Sequence, residues 1–147
     1  MRGNKTSAKV LLVSKDRELG DQLHGCLSAL GLATNALAIV QTEPECVTAL
    51  TRMRPHVLVL DDGITNQDAQ SLLRTVRQHD PEVLVVYLAT HHTAALERAV
   101  RQLGVLYYTE KPPDLQLFGK ILGSALASAA NTPGDSGSEG EKGALQR

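Results

Sequence analysis

Short apolar runs alternate along this chain with stretches whose apolar residues return every three or four positions. The runs are Lys9 to Val13, Ala36 to Val40, Val57 to Leu60, Val83 to Leu88 and Leu106 to Thr109, and their length and β-branched content predict strands. Between and after them the spacing predicts five helices. Leu19, Leu23, Cys26, Leu27 and Leu30 form a first stripe, which Gly31 stops. Thr42 is placed to cap a second helix carrying Pro44 in its first turn and Val47, Leu50 and Met53 on its buried side, with Pro55 closing it. Asp68 can cap a third with Leu72, Leu73 and Val76. A fourth carries Leu96, Ala99, Val100 and Leu103 and ends at Gly104, and a fifth carries Leu117, Phe118, Ile121, Leu122, Ala125 and Ala129.

A five-fold β-α alternation of this kind predicts an α/β, three-layer domain: a parallel sheet covered by helices on both faces. Such burial also explains why the third and fourth strands are apolar throughout. At 147 residues and 42% hydrophobic content, one core and one domain are expected. Residues 131–147 are rich in Gly, Ser, Pro and charge, with nothing to bury, and are expected to form a disordered tail or a linker to an output domain.

Charge narrows the field by exclusion. Fifteen Lys and Arg balance sixteen Asp and Glu, a net charge of −1, with both signs scattered, so neither nucleic acid nor a membrane surface is advertised as a partner. The apolar run after the basic, polar opening is far too short for a signal peptide or a membrane span, and a cytoplasmic protein is expected. Cys26 and Cys46 fall within helical patterns, as small buried side chains would. No CxxC pair, Cys/His ligand set or Gly-rich phosphate loop is present.

Chemistry in an open parallel sheet collects beyond the carboxyl ends of its strands. Those ends bring together Ser14, Lys15 and Asp16 after the first strand and Asp61 and Asp62 after the third. Ala89, Thr90, His91 and His92 follow the fourth, and Glu110, Lys111 and Pro112 the fifth. A central carboxylate beside a lysine could serve as a nucleophile whose transferred anionic charge the ammonium neutralises. It could equally be an ordinary polar rim. Asp62, following Asp61 on a strand, is expected to point away from it as a solvated loop acid or a helix-adjacent charge. His91 and His92, adjacent on a loop, are expected to be rim residues rather than ligands of one ion.

The order of these motifs resembles the receiver domain of bacterial response regulators, which accepts a phosphoryl group from a histidine kinase onto an aspartate. The resemblance spans about residues 8–130. It implies a flavodoxin-like fold with strand order 2-1-3-4-5. PHVLVLD, ending at Asp61, is similar to the family's phosphoacceptor strand. Lys111-Pro112 looks like the Lys-Pro pair whose lysine contacts the phosphoryl group, and Tyr108 falls at the family's switch aromatic.

Three departures cluster at that site. The resemblance implies a Mg2+ ion held by two acids after the first strand, but Ser14 and Lys15 occupy those positions and Asp16 comes one place late. What metal-binding capacity is left falls to Asp16, Asp61 and Gly63, and bringing Asp16 inward would need a local bulge. The family's hydroxyl residue aligns with Ala89, and Thr90 follows it, out of phase. The loop after Asp61 carries Thr65 where many members carry proline.

Two expectations follow. In one, Lys15 and Lys111 pin Asp61 in a fixed ion cluster, and the chain is an atypical receiver that signals through protein contacts without Mg2+-dependent phosphorylation. In the other, Asp61 is a conventional phosphoacceptor for a histidine kinase, with Lys111 and Thr90 assisting and Mg2+ as cofactor; at most this amounts to weak self-phosphorylation and dephosphorylation. Flavin binding on the same fold is disfavoured, because SKDREL lacks a phosphate cradle. On the fourth helix and fifth strand, Arg98, Arg101, Leu106 and Tyr107 are residue types that anchor interfaces. They suggest a homodimer through the fourth helix, fifth strand and fifth helix, or contact with another signalling protein or output domain.

Overall fold

The computed structural model describes residues 9–64 and 69–130. Five strands, β1 (Val10–Val13), β2 (Leu37–Val40), β3 (Val57–Asp61), β4 (Leu84–Ala89) and β5 (Tyr107–Glu110), alternate with five helices. These are α1 (Arg17–Ala29), α2 (Glu43–Met53), α3 (Ala69–His79), α4 (Ala94–Gln102) and α5 (Leu115–Ala130). The strands form one parallel sheet in the order β2-β1-β3-β4-β5, as expected.

Side-chain alternation along the strands sorts the core into two layers and, at the strand ends, sorts the polar residues as well. Leu11, Val13, Leu58, Leu60, Val85 and Tyr87 pack with Leu50, Leu72, Leu73, Val76 and Val100 of α2, α3 and α4. Val10, Leu12, Val57, Val59, Val86 and Leu88 pack with Leu19, Leu23 and Leu27 of α1 and Phe118, Leu122 and Leu126 of α5. Continuing the same phase places Ser14 and Asp61 on the α1/α5 side and Asp62 on the other.

Local signals set the helix ends. Asp16, Thr42 and Thr93 cap α1, α2 and α4, each side chain accepting from the backbone N–H three residues on. Gly31 and Gly104 take the positive φ values, 84° and 82°, that let the chain turn away after α1 and α4. Two stripe residues are corrected. Leu30 is the C-cap of α1 and Leu117 lies on the outer side of α5, and both are exposed; each continues the apolar spacing by one position beyond what the sheet can cover. Cys46 is buried in its place on α2 while Cys26 is half-buried. Thr65, Asp68 and residues 131–147 lie outside the described residues, as does the side chain of Ala129.

On the face of the sheet opposite the strand carboxyl ends, Arg77 of α3 ties two corners together. Its guanidinium donates to the backbone carbonyls of Val83 and Gly104, both at 2.7 Å, and of Leu103 at 3.3 Å. The turn after α3 thereby holds the α4–β5 turn in place.

Candidate functional site

Asp61, the last residue of β3, is 2% exposed and accepts three hydrogen bonds. Its Oδ2 accepts from the Ser14 hydroxyl at 2.6 Å and from Lys111 Nζ at 2.9 Å, and its Oδ1 accepts from the Gly63 N–H at 2.9 Å. Ser14 is in phase with Asp61 because both continue the α1/α5 face of adjacent, paired strands. The Asp16 N–H donates to Ser14 Oγ at 2.9 Å, which leaves the hydroxyl proton directed at Asp61.

Asp16 needs no bulge to reach this cluster. As N-cap of α1 it accepts the Leu19 N–H through Oδ1 and sets Oδ2 3.4 Å from Lys111 Nζ. The Leu19 N–H holds the Asp16 carboxyl below its ordinary range, with Lys111 adding to the effect against a smaller upward push from burial. Burial pushes the Lys111 ammonium down, but hydrogen bonding and attraction from Asp61, joined by Asp16, outweigh it, and the net shift is upward. One ammonium therefore bridges two carboxylates.

Lys15 does not take part. It is exposed, borders a separate cleft of about 210 Å3 toward β2 with Arg17, His24 and Gln41, and makes no ion pair among the described residues. The expectation that it pins Asp61 is corrected: Lys15 lies toward β2, in the cleft beside the start of α1, and Ser14 supplies the contact to Asp61 instead.

Thr90 follows Ala89 by one residue, out of phase with it as expected, yet it lies near Asp61. Asp61 pairs with Leu88, and Thr90 lies two residues beyond Leu88 on the same side. A Cβ built on Gly63 would stand 3.0 Å from Thr90 Oγ1 and 3.1 Å from Asp61 Oδ1, so glycine lets the loop lie between hydroxyl and carboxylate. Ala89 is buried in the core. A cleft of about 320 Å3, bordered by Asp16, Glu18, Gln22, Thr90, Lys111 and Pro112, opens beside the ammonium.

Asp62 points away from Asp61, as expected, but it is not a solvated acid. Its Oδ2 accepts from the Tyr87 hydroxyl at 2.9 Å and its Oδ1 from the Thr90 N–H at 2.8 Å. Sequence reasoning missed this tie, although a lone tyrosine inside the apolar run VVYLA is a signal that a buried hydroxyl needs a partner. Tyr108 is turned inward and stacks on Tyr87, with ring centroids 5.6 Å apart and planes 9° from parallel. Arg101 lies over the Tyr108 ring at 5.9 Å while pairing with Glu97 at 2.8 Å. His91 and His92 are exposed, and His92 Nδ1 sits 2.8 Å from the Tyr108 hydroxyl. Arg98 is exposed, Leu106 is 46% exposed, and Tyr107 is half-buried against the α1/α5 layer.

The donors at this site fit a divalent cation poorly. Mg2+ takes six oxygens, several of them water, and the protein donors left for it here are few, since the Asp61 carboxylate already accepts three hydrogen bonds and Asp16 Oδ1 caps a helix. Among the described residues, no three Asp, Glu, His or Cys side chains converge on a common point. No helix among them is long and apolar enough to cross a membrane.

No family model matches the sequence, and neither does any curated protein. Solved structures do match in fold. The signal receiver domain of a putative LuxO repressor protein from Vibrio parahaemolyticus superimposes with a TM-score of 0.76 at 19% identity, covering 88% of this chain and 98% of that one. HP1043, an orphan response regulator of H. pylori, gives 0.71 at 15% identity, covering 84% and 99%. The beryllofluoride-activated NtrC4 receiver domain dimer gives 0.72 at 18% identity, covering 82% and 97%. The strand order, the helical layers and these superpositions together establish that the chain has the α/β, flavodoxin-like fold of response-regulator receiver domains.

Proposed function

We propose that this chain is an atypical receiver domain of a two-component system, one that signals through protein contacts without Mg2+-dependent phosphorylation of Asp61. A single observation carries the proposal: the Lys111 ammonium bridges Asp61 and Asp16, and the Ser14 hydroxyl closes on the same Asp61 oxygen. A nucleophilic carboxylate needs a free oxygen lone pair and a cation to bring an incoming phosphoryl group toward it. Here Oδ2 of Asp61 accepts two hydrogen bonds and Oδ1 accepts one, which leaves one lone pair beside the Gly63 N–H, and the acid pair of the resembled family is replaced by Ser14 and Lys15.

In this account Asp61 is a structural carboxylate and the domain is not an enzyme. Its output is the surface formed by Arg98, Arg101, Leu106 and Tyr107, offered to a histidine kinase, another signalling protein, an attached output domain or a second copy. The NtrC4 receiver is a dimer in its beryllofluoride-activated form, and for this chain the exposed Arg98, Arg101 and Leu106 favour a homodimer through α4, β5 and α5. The balanced charge argues against direct nucleic-acid binding, and a cytoplasmic location accords with a signalling partner of this kind.

Conventional phosphoacceptance draws support from one feature, the Thr90 hydroxyl lying beside Asp61 across Gly63. Acetyl phosphate separates the two. The wild type incubated with and without Mg2+ is expected to show no phospho-adduct by intact mass, whereas the double variant Ser14→Asp, Lys15→Asp is expected to gain a Mg2+-dependent one. A Mg2+-dependent adduct on the wild type, lost in Asp61→Ala, would establish the conventional function.

A further inference from the structure

We infer that Asp62 and Tyr87 form a relay that couples the loop after β3 to Tyr108 and the α4–β5 face. The contacts close a circuit. Asp62 Oδ2 accepts from the Tyr87 hydroxyl at 2.9 Å, the Tyr87 ring stacks on Tyr108, and the Tyr108 hydroxyl meets His92 Nδ1 at 2.8 Å. From His92 the backbone runs back two residues to Thr90, whose N–H donates to Asp62 Oδ1 at 2.8 Å. One carboxylate thus holds the β4–α4 loop at one end and, through two stacked rings, at the other.

The register explains why these residues meet. Tyr87 and Tyr108 are direct neighbours on the paired strands β4 and β5, on the layer that Asp62 enters when it turns away from Asp61. Tyr87 is fully buried, so its hydroxyl is anchored at considerable cost if the partner is removed. Burial raises the Tyr108 phenol, and Glu97, Asp62 and Glu110 push in the same direction against Arg101. The phenol is thus held in its protonated form, within hydrogen-bond distance of His92 Nδ1.

The consequence is mechanical. Tyr108 is kept inward, under Arg101, by side chains that belong to neither the phosphoacceptor position nor Lys111. A displacement of the loop after β3 reaches the α4–β5 face through Asp62, whether or not Asp61 accepts a phosphoryl group. Asp62 and Tyr87 are positioning residues in this scheme, and it stands independently of the function proposed above.

The chain has three tyrosines and no tryptophan, so fluorotyrosine labelling of the full chain yields a spectrum in which single Tyr→Phe changes assign each signal. In Asp62→Ala the Tyr108 signal is expected to shift, and the Thr90 amide to exchange at least tenfold faster, although Asp62 does not touch the Tyr108 ring. Tyr87→Phe keeps the ring stack and the core volume, so it serves as the conservative variant; it is expected to accelerate Thr90 exchange, though less than Asp62→Ala, because the Asp62 carboxylate that accepts the Thr90 N–H is still present. A Tyr108 signal that stays in place in Asp62→Ala, or a Thr90 amide unaffected by Tyr87→Phe, would overturn the relay.

Discussion

Replacing Ser14 by alanine removes one oxygen from the floor of the site and tests whether Asp61 is structural. The Ser14 hydroxyl donates to an ionised, buried carboxylate at 2.6 Å, a charge-assisted bond of the kind that contributes about 1.5–3 kcal/mol. It also accepts the half-buried Asp16 N–H at 2.9 Å, a neutral bond at the lower end of about 0.5–1.5 kcal/mol. The methyl left behind fits the same space, so no cavity term is added, and Ser14→Ala is expected to cost about 2–4 kcal/mol. For a domain of this size that lowers Tm by about 4 °C per kcal/mol.

Urea unfolding of the wild type, Ser14→Ala, Asp61→Ala and the double variant measures the coupling directly, with unchanged m values as the check on two-state behaviour. The expected coupling between the two positions is about 1.5–3 kcal/mol, favourable. Asp61→Ala alone is expected to destabilise, because it strands the Ser14 hydroxyl and the Gly63 N–H and leaves Lys111 with Asp16 as its one charged partner. A coupling under about 0.5 kcal/mol, within the scatter of non-interacting sites, or an Asp61→Ala variant more stable than the wild type, would refute the structural role.

Three further outcomes follow from contacts elsewhere. Half-buried His56 accepts the Lys9 N–H through Nδ1 at 3.1 Å, and burial, with Lys9, holds its imidazole below the ordinary range. The folded state therefore disfavours the proton, so its contribution is present above about pH 6.5 and is lost as pH falls through the lower folded value; Tm should decline between pH 7.5 and 5, and His56→Phe should flatten that decline. Arg77→Ala removes the shared donor of the Val83, Leu103 and Gly104 carbonyls, the last of them open to water, and is expected to cost about 1–3 kcal/mol, with hydrogen exchange at the α4–β5 turn rising more than in β1. Gly63→Ala drives a Cβ to 3.0 Å from Thr90 Oγ1 and 3.1 Å from Asp61 Oδ1; calorimetry should show a loss of about 1–3 kcal/mol, reduced in a background where Thr90 is alanine.

The fold was legible because short apolar runs, in VLLV, VLVLD and LVVYLA, alternate with helical stripes of period 3.6, and because Gly31, Gly104 and Thr42 punctuate them. The site was legible as a set of strand ends: Asp61, Lys111 and Asp16 do converge. Their partners were harder to read, since pairing at a strand end depends on phase. Counting alternation from the core shows why Ser14 meets Asp61 and why Thr90 returns to the Asp61 side. Asp62 was misread for a different reason. Its bond to Tyr87 spans 25 residues, and only the sheet register brings β3 and β4 close enough to reveal it. Arg77 was invisible for the same reason, because its acceptors are backbone carbonyls that carry no side-chain signature.

The central claim is that Asp61 is held as a structural carboxylate rather than kept available as a phosphoacceptor. Its most direct test is intact mass spectrometry of the full chain after incubation with acetyl phosphate, with and without Mg2+, beside Asp61→Ala. The account predicts one unmodified mass under every condition. A phosphoryl adduct that requires both Mg2+ and Asp61 would contradict it.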